Sequence, residues 1–399
     1  MKGFIELKNI IKNYDWGTED FIPKLLDIPN PEQAPFAELW MGTHSQGESC
    51  SVEDGLPLKA AIQKDSAFFL GDAFSEKSGE LPFLFKVLSA KNSLSIQAHP
   101  NKAQAEAGFD YENKEGIALN AFERNYKDDN HKPEILCALT DFTAMCGFRP
   151  VQEIKKLLKI FSCHLTNDLG LLLSENSKSS LKEFYALNYA VEKSSASLRD
   201  HIVKNLGKIK EKNPSYKKVW ELIEDFSERF PLDMAVISPL YLNIIELKPG
   251  EAIFLPAGIL HAYVKGSGLE LMSASDNVLR AGLTGKYIDK LELLRILRFE
   301  SFLPQLLLPP KAEKSSGADF YSYKTPVSDF KLSCLHNFSG ELPVKGPLII
   351  IVIQGVLTFT FGQNDKSTLE KGKSAFIAAG LTGVLLNGTY TAYIAGLGE

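Results

Sequence analysis

The amino-acid sequence predicts a mainly β protein with a helical insertion, arranged as two jelly-roll barrels plus an α-helical domain. Short apolar runs bounded by turn residues recur up to residue 150 and again from residue 236, as in double-sheet antiparallel barrels. Between them, 151–235 carries apolar residues at helical spacing. Near the end of the chain, LEKGKSAFIAAG at 369–380 echoes LKPGEAIFLPAG at 247–258. The echo indicates a second barrel of the same kind.

These changes of pattern divide the chain into three predicted units. The first barrel is split between 1–150 and 236–313, the helical insertion is 151–235, and the second barrel is 314–399. A proline pair and a Lys- and Ser-rich run within 304–316 predict the linker between the barrels. The second barrel has no histidine where the first has His261. We therefore expect it to be a structural copy without metal ligands.

Composition limits the partners and the compartment of the chain. Of 399 residues, 44% are hydrophobic and 23% charged, and the net charge of −5 gives no reason to expect nucleic acid or an anionic membrane as partner. Residues 1–8 lack the apolar run of a secretory signal, and the apolar run 348–353 is far shorter than a bilayer requires. Five scattered cysteines without a CxxC pair are typical of reduced thiols. We expect a cytoplasmic protein.

Four elements are predicted in the first part of the chain. The runs 7–14 and 36–42 are predicted strands, each with a tryptophan close by that we interpret as part of the core or of a pocket wall. The apolar run 82–90 predicts a buried strand. Ala, Glu and Lys dominate 101–125 and predict a helix, in which Phe109, Ala118 and Phe122 would supply the apolar stripe.

Three polar side chains alternate along the predicted strand 94–100. Side chains two apart on a strand point the same way, so Ser95, Gln97 and His99 should share one face. A hydroxyl, an amide and an imidazole that point into one interior need partners, because burying unpaired polar groups is unfavourable. A metal ion would provide that partner.

A second polar set lies in HKPE at 131–134. Lys132 and Glu134 are two apart, and the proline between them favours extended backbone for Lys132. They should therefore point to the same face, with the carboxylate beside the lysine. A third set follows the PGE turn at 249–251, where His261 and Tyr263 alternate on the next strand. This turn-and-histidine pattern resembles the cupin barrel, in which both side chains would face the lumen.

Charged residues continue downstream at even positions. Glu270, Asp276 and Arg280 share a face only if the backbone is extended throughout. Ser-Asp-Asn at 275–277 indicates a bend midway.

Gln97, His99, Glu134 and His261 together form a set of nitrogen and oxygen donors. Such a set suits zinc or another first-row divalent ion. Taken singly, each residue has a plainer interpretation. A histidine can be a hydrogen-bonded core residue, Glu134 can form an ion pair with Lys132, and Gln97 can cap a neighbouring strand. Their common position on predicted strands, among other inward polar residues, favours a metal site. These four residues do not by themselves indicate which reaction the metal site would serve.

Seven motifs occur in order along the chain. They are YDWG (14–17), ELWMGTH (38–44), SIQAHPN (95–101), DDNHKPE (128–134), FRP (148–150), PAGILHAY (256–263) and SDNVLRAGLTGKY (275–287). In these motifs the chain resembles type I phosphomannose isomerases, zinc-dependent enzymes of the cupin superfamily. The resemblance covers the whole length.

The resemblance implies roles for individual residues. Zinc, one ion per chain, would be held by Gln97, His99, Glu134 and His261. Arg280 would be the essential arginine, and Lys132 and Glu270 are candidates for proton transfer. The implied substrate-binding residues are Ser95, Tyr263, Asp276, Lys286 and Trp16. The first barrel would be the catalytic one, and we expect a monomer.

The resemblance also implies a reaction, the interconversion of mannose 6-phosphate and fructose 6-phosphate through a cis-enediol. It would supply mannose 6-phosphate for GDP-mannose synthesis or feed mannose into glycolysis. The alternative is another metal-dependent cupin enzyme that acts on a related sugar phosphate. An iron-dependent dioxygenase would normally show a His-rich facial set, which the glutamine ligand and the basic surroundings argue against. A storage bicupin would have no need of so many charged inward residues.

Overall fold

The computed structural model describes residues 3–72, 80–161, 164–173, 178–190, 192–308, 319–362 and 365–398. These residues form two β-sheets of antiparallel strand pairs together with helices, which confirms the predicted mainly β fold with helices. The predicted barrel boundary at 313/314 and residues 309–316 of the predicted linker lie outside the described residues. No described helix is both long enough and apolar enough to cross a membrane.

The first sheet carries the predicted site. Its described strands are Ile10–Lys12, Glu38–Met41, Phe83–Ala90, Ile96–Ala98, Glu134–Ala138, Phe142–Phe148, Leu242–Leu247, Ala252–Leu255, His261–Ser273, Leu279–Gly282 and Leu306–Leu307.

The second sheet holds most of the C-terminal strands. Its described strands are Phe4–Lys8, Cys50–Ser51, Asp319–Ser322, Lys331–His336, Gly340–Glu341, Leu348–Phe361, Asp365–Glu370, Ser374–Ile377 and Leu385–Gly396.

The strand His261–Ser273 organises the first sheet. Its beginning pairs with Ile96–Ala98 and Phe142–Phe148, and its end pairs with Phe83–Ala90 and Glu134–Ala138. The register sets His261 opposite Gln97 and Glu270 opposite Lys86. Because paired residues on neighbouring strands lie side by side, this one strand brings distant parts of the sequence together.

Apolar side chains of both sheets form a shared core. The first strand of the chain, Phe4–Lys8, pairs with Ser374–Ile377 in the second sheet. Phe85 and Ile135 of the first sheet pack in one buried cluster with Ile349 of the second. Burial of this area stabilises the contact between the two sheets.

Helices occupy most of the segment between the strands Phe142–Phe148 and Leu242–Leu247. Trp220 and Phe226 on the face of one of these helices are fully buried with Ile154 of another. The described α-helices of the chain are Phe21–Leu26, Leu58–Gln63, Ser66–Leu70, Lys102–Lys114, Val151–Phe161, His164–Leu172, Lys178–Ala190, Glu192–Lys212, Lys217–Arg229 and Lys290–Ile296, with 3₁₀ turns at Pro214–Tyr216 and Met234–Leu240.

The helix predicted over 101–125 is shorter than expected. It spans Lys102–Lys114, with Asn101 and Gln104 forming a capping box at its start. Gly116 follows in the left-handed region (φ +72°), where glycine commonly ends a helix. The Glu112 carboxylate then accepts the backbone N–H groups of residues 125 and 126, and these bonds hold the returning chain against the helix. Phe122 is 70% exposed, so its assignment to an apolar stripe was wrong.

One glycine connects the fold to the site. Gly258 adopts φ +77°, its N–H donates to the carbonyl of His99, and its carbonyl accepts from the N–H of Arg298, each at 2.8 Å. A Cβ at this position would lie 2.8 Å from the carbonyl oxygen of Ile296. Side chains are therefore excluded by both backbone conformation and space.

We predict that Gly258→Ala lowers the free energy of unfolding by about 2–4 kcal/mol, from left-handed strain and from crowding. Gly55→Ala is the matched control, since Gly55 has φ +71° and no atom within 4 Å of an added Cβ. It should lose only the strain, about 1–2 kcal/mol. Chemical denaturation of both variants measures the difference, and equal losses would show that crowding at Gly258 is unimportant.

Candidate metal centre

Three predicted ligands meet where strands of the first sheet begin or end. His99 follows Ile96–Ala98, Glu134 begins Glu134–Ala138, and His261 begins His261–Ser273. His99 Nε2 lies 3.2 Å from Glu134 Oε1, and His261 Nε2 lies 3.4 Å from Glu134 Oε2. All three residues are buried, with at most 1% of their surface exposed. Within the described residues, this is the one group of three or more His, Cys, Asp or Glu side chains with metal-binding geometry.

Backbone carbonyls fix the orientation of both histidines. His99 Nδ1 lies 2.7 Å from the carbonyl oxygen of Asn277, and His261 Nδ1 lies 3.0 Å from that of Ile259. A carbonyl can only accept a hydrogen bond, so each Nδ1 carries the proton. Each Nε2 lone pair therefore points toward Glu134. Metal-bound histidines are commonly oriented in this way.

The charge states of the cluster suit a divalent cation. Burial, opposed by the charge of Glu134, lowers the pKa of His99 to about 4. Burial would raise the pKa of Glu134, but the charge of Lys132 holds it well below its ordinary value. Neutral imidazole and ionised carboxylate are the forms that bind metal.

Two buried atoms of the cluster indicate that a metal ion would fit between these side chains. His99 Nε2 and Glu134 Oε1 have no hydrogen-bond partner among the described residues. Buried polar atoms are rarely left unpaired, and a cation bound between these donors would satisfy both. Gln97 completes the predicted set, since its amide lies 3.4 Å from His261 Nε2. An amide can present either nitrogen or oxygen by turning over.

Further polar groups surround Glu134. Lys132 Nζ lies 3.2 Å from Glu134 Oε1, so these two side chains point to the same face, as predicted. The hydroxyl of Tyr263 donates to Glu134 Oε2 at 3.3 Å. Burial raises the pKa of Tyr263, which keeps its hydroxyl protonated as a donor.

A cavity of about 780 Å³ opens beside this cluster. It contains every other residue that the sequence assigned to the site. These residues are Trp16, Ser95, Gln97, Lys132, Tyr263, Glu270, Asp276, Arg280 and Lys286. The roles assigned to them stay predictions.

Cationic side chains crowd one part of the cavity lining. Arg280 is partly buried, and no hydrogen bond or ion pair to a carboxylate is present for it within the described residues. Burial lowers the pKa of Lys286, and the charge of Arg280 lowers it further. Lys127 lines the cavity as well, and burial followed by the charges of Arg124 and Arg280 lowers its pKa. Cationic side chains gathered in one part of a cavity favour the binding of an anion.

The sequence reasoning missed Lys86. Its Nζ lies 2.9 Å from Glu270 Oε2, 3.7 Å from Glu38 Oε1 and 4.9 Å from the centroid of the Trp40 ring. Burial would lower the pKa of Lys86, but the charges of Glu270 and Glu38 raise it above its ordinary value. One lysine inside the apolar run PFLFKVLSA was the available signal, because a buried lysine needs a partner.

The fold and the site together define a β-sheet protein with a buried metal centre beside a cavity that is lined in part by cationic side chains. Comparison with known proteins makes this more specific. Residues 4–151 match the catalytic domain of type I phosphomannose isomerases. The mannose-6-phosphate isomerase of Escherichia coli K12 is 40% identical over 392 residues, covering 96% of this chain and 97% of that protein. The human mannose-6-phosphate isomerase is 32% identical over 410 residues, covering 92% of each. The chain belongs to the type I phosphomannose isomerase family.

Solved structures agree with this assignment. An alanine variant of phosphomannose isomerase from Salmonella typhimurium superimposes with a TM-score of 0.87 at 35% identity, covering 100% of both chains. A zinc-bound mannose 6-phosphate isomerase superimposes with a TM-score of 0.85 at 34% identity, again covering 100% of both chains. These similarities and the His99, Glu134 and His261 cluster identify a metal site in this chain.

We predict that Glu134→Gln strongly lowers metal content, because it removes the anionic donor at the centre of the cluster. Zinc affinity should fall by at least about 10–100-fold, measured by elemental analysis after dialysis against a weak chelator. Glu246→Gln is the control, since Glu246 is exposed on a strand of the same sheet. Stoichiometric zinc in Glu134→Gln would show that the ligand assignment is wrong.

Proposed function

We propose that this protein interconverts mannose 6-phosphate and fructose 6-phosphate with one zinc ion per chain. One observation carries the proposal. A single cavity is lined both by Arg280, which has no carboxylate partner among the described residues, and by side chains that contact the His99, Glu134 and His261 cluster, namely Gln97, Lys132 and Tyr263. A sugar phosphate has both features that such a cavity recognises, oxygen atoms for a metal and an anionic group for cations. The relatives named above are mannose-6-phosphate isomerases.

Zinc would be held by Gln97, His99, Glu134 and His261, which offer the mixed nitrogen and oxygen donors that zinc accepts. When bound, zinc would orient the sugar oxygens and stabilise negative charge on them as a Lewis acid.

The phosphate would be bound by Arg280, Lys286 and Ser95, which all line the cavity. A planar guanidinium can donate two parallel hydrogen bonds to phosphate. Phosphate binding would also remove the repulsion between Arg280 and Lys286. Trp16 would form part of the wall along which the sugar lies.

Glu270 is the group that would carry the proton between C2 and C1. Its carboxylate lines the cavity, and the buried ion pair with Lys86 at 2.9 Å holds it in place. It would take the proton from C2 of the open-chain sugar to form the cis-enediol and return it to C1.

Lys132 was the other candidate for proton transfer. Its Nζ lies 3.2 Å from Glu134 Oε1, and this ion pair favours a role for Lys132 as a fixed positive charge rather than as a base. We therefore assign Lys132 to the sugar oxygens, where its charge would stabilise the enediolate together with Arg280.

We further propose that the protein acts as a cytoplasmic monomer that supplies mannose 6-phosphate for GDP-mannose synthesis or feeds mannose into glycolysis. The cysteines of the described residues support a reducing compartment, because none of Cys50, Cys137, Cys146 and Cys334 forms a disulfide bond there.

The reaction is tested by a coupled assay that follows fructose 6-phosphate formed from mannose 6-phosphate. We expect turnover that a strong chelator abolishes and that added zinc restores, because the proposed reaction requires the metal site to be filled. Glucose 6-phosphate serves as the control sugar. Lack of turnover, turnover that is insensitive to the chelator, or preference for another sugar phosphate would each contradict the proposal.

We predict that Glu270→Gln lowers kcat by about 10²–10⁴-fold, the usual contribution of a positioned base. KM and zinc content should change little, because the amide keeps the size of the side chain and Glu270 is not among the metal ligands. Glu246→Gln again provides the control. If Glu270→Gln keeps more than a tenth of kcat while Lys132→Gln loses activity with its zinc retained, Lys132 is the base.

A further inference from the structure

An exposed asparagine of the second sheet is followed directly by a glycine. Asn387 and Gly388 lie in the long strand Leu385–Gly396, and both are exposed to solvent. The backbone N–H of Gly388 donates to Asn387 Oδ1 at 2.8 Å. Because Oδ1 is bonded to the side-chain carbonyl carbon, Cγ, this contact places the backbone nitrogen of Gly388 beside Cγ. A nitrogen nucleophile and an electrophilic carbon are therefore neighbours.

The sheet leaves this pair of residues uncovered on one side. The strands Lys331–His336 and Gly340–Glu341 pair with residues 391–396 and 385–386 on that side. No described strand pairs with 387–389 between them. The side-chain amide of Asn387 is therefore open to water.

The fold requires a glycine after Asn387. Gly388 has φ +138°, and a Cβ at this position would lie 2.2 Å from the carbonyl oxygen of Val356. Any side chain is thus excluded both by backbone conformation and by space. Glycine is also the residue that hinders its own backbone nitrogen least. The structure therefore keeps the most accessible backbone nucleophile directly after the asparagine.

Asn337, which follows the strand Lys331–His336, provides a contrast in the same sheet. Its Oδ1 accepts the N–H of Tyr390 at 2.9 Å, and its amide nitrogen lies 3.3 Å from His336 Nε2. Both ends of its side-chain amide are thus held by partners other than the residue that follows it, Phe338. The side chain of Phe338 also hinders its own backbone nitrogen.

We propose that Asn387 is a site of spontaneous deamidation, with water as the second reactant, a property independent of the proposed function. The backbone nitrogen of Gly388 attacks Cγ of Asn387 and forms an N–Cγ bond. The bond from Cγ to the side-chain nitrogen breaks, and that nitrogen takes the proton of the attacking amide and leaves as ammonia. The product is a five-membered succinimide ring. Contact between the two groups before reaction favours this step.

Water then opens the ring in one of two ways. Addition to Cγ breaks the new bond and yields an aspartyl residue. Addition to the main-chain carbonyl carbon breaks the original peptide bond and yields an isoaspartyl residue, in which the chain continues through Cβ and Cγ. Both products carry one more negative charge, and the isoaspartyl product also has an additional methylene in its backbone.

The additional methylene would fall within a paired strand. In the neighbouring strand Leu348–Phe361, Thr358 lies opposite Asn387 and Leu357 lies opposite Gly388. The added length shifts this pairing and therefore destabilises the second sheet. Asn387 is not among the described residues that line the cavity beside the metal centre, so the site residues stay in place.

Peptide mapping by mass spectrometry, after prolonged incubation of the whole protein in neutral buffer, tests the proposal. We expect a mass gain of about one dalton in the peptide that contains Asn387, at least about tenfold faster than at Asn337. An isoaspartyl methyltransferase should transfer a labelled methyl group from S-adenosylmethionine to the same peptide.

Asn387→Gln is the matched control, because glutamine keeps the amide but would have to form a six-membered ring. This variant should lose both signals. An Asn387 that stays intact, or that reacts no faster than Asn337, overturns the inference.

Thermal unfolding separates the effect of the methylene from that of the charge. Asn387→Asp adds the charge alone, and its unfolding temperature should match that of fresh wild-type protein because residue 387 is exposed. Wild-type protein enriched in the isoaspartyl product should unfold at a lower temperature. Unfolding of this enriched protein at the same temperature as Asn387→Asp would contradict the expected damage to the strand.

Discussion

The structure depends most on the burial of one carboxylate, that of Glu134. An ionised carboxylate with no solvent contact is strongly unfavourable unless charged and hydrogen-bonding partners surround it. Here Lys132, His99, His261 and Tyr263 all lie within 3.4 Å of its two oxygens. His99 Nε2 and Glu134 Oε1 still have no hydrogen-bond partner among the described residues, and a metal cation bound between them would satisfy both. The metal centre is thus the arrangement that makes this burial stable.

Strand pairing also places the other charged side chains around the cavity beside the metal centre. Because the long strand His261–Ser273 contributes both His261 and Glu270, the metal centre and the assigned base lie on one rigid element. Its register places Lys86 beside Glu270, and the following strand places Arg280 opposite Gln97. Sites built on strands hold their geometry better than sites on loops. Asp276 and His44 lie on loops, and the hydrogen bond between their side chains, at 3.1 Å, holds them in place where strand pairing does not.

Alternation along strands made part of the site predictable from sequence. Gln97 and His99, or Lys132 and Glu134, are two residues apart, so local geometry alone sets them on a common face. Lys86 and His44 were not predicted as site residues, because each pairs with a carboxylate far away in the sequence, at positions 270 and 276. The register that brings such distant residues together cannot be derived from one sequence. The helix predicted over 101–125 is too long, because the prediction followed the composition of the segment and did not take Gly116 as the end of the helix. The C-terminal strands were anticipated from a repeat, but the pairing of Phe4–Lys8 with Ser374–Ile377 has no local signal.

The central claim is that Glu134 is buried because it binds a metal ion together with His99, His261 and Gln97. The most direct measurement is anomalous X-ray diffraction from crystals of the protein, collected on either side of the zinc absorption edge. We expect one anomalous peak per chain, in contact with donor atoms of all four residues. A peak elsewhere, or an ordered cluster with no metal after growth in zinc, would contradict the account.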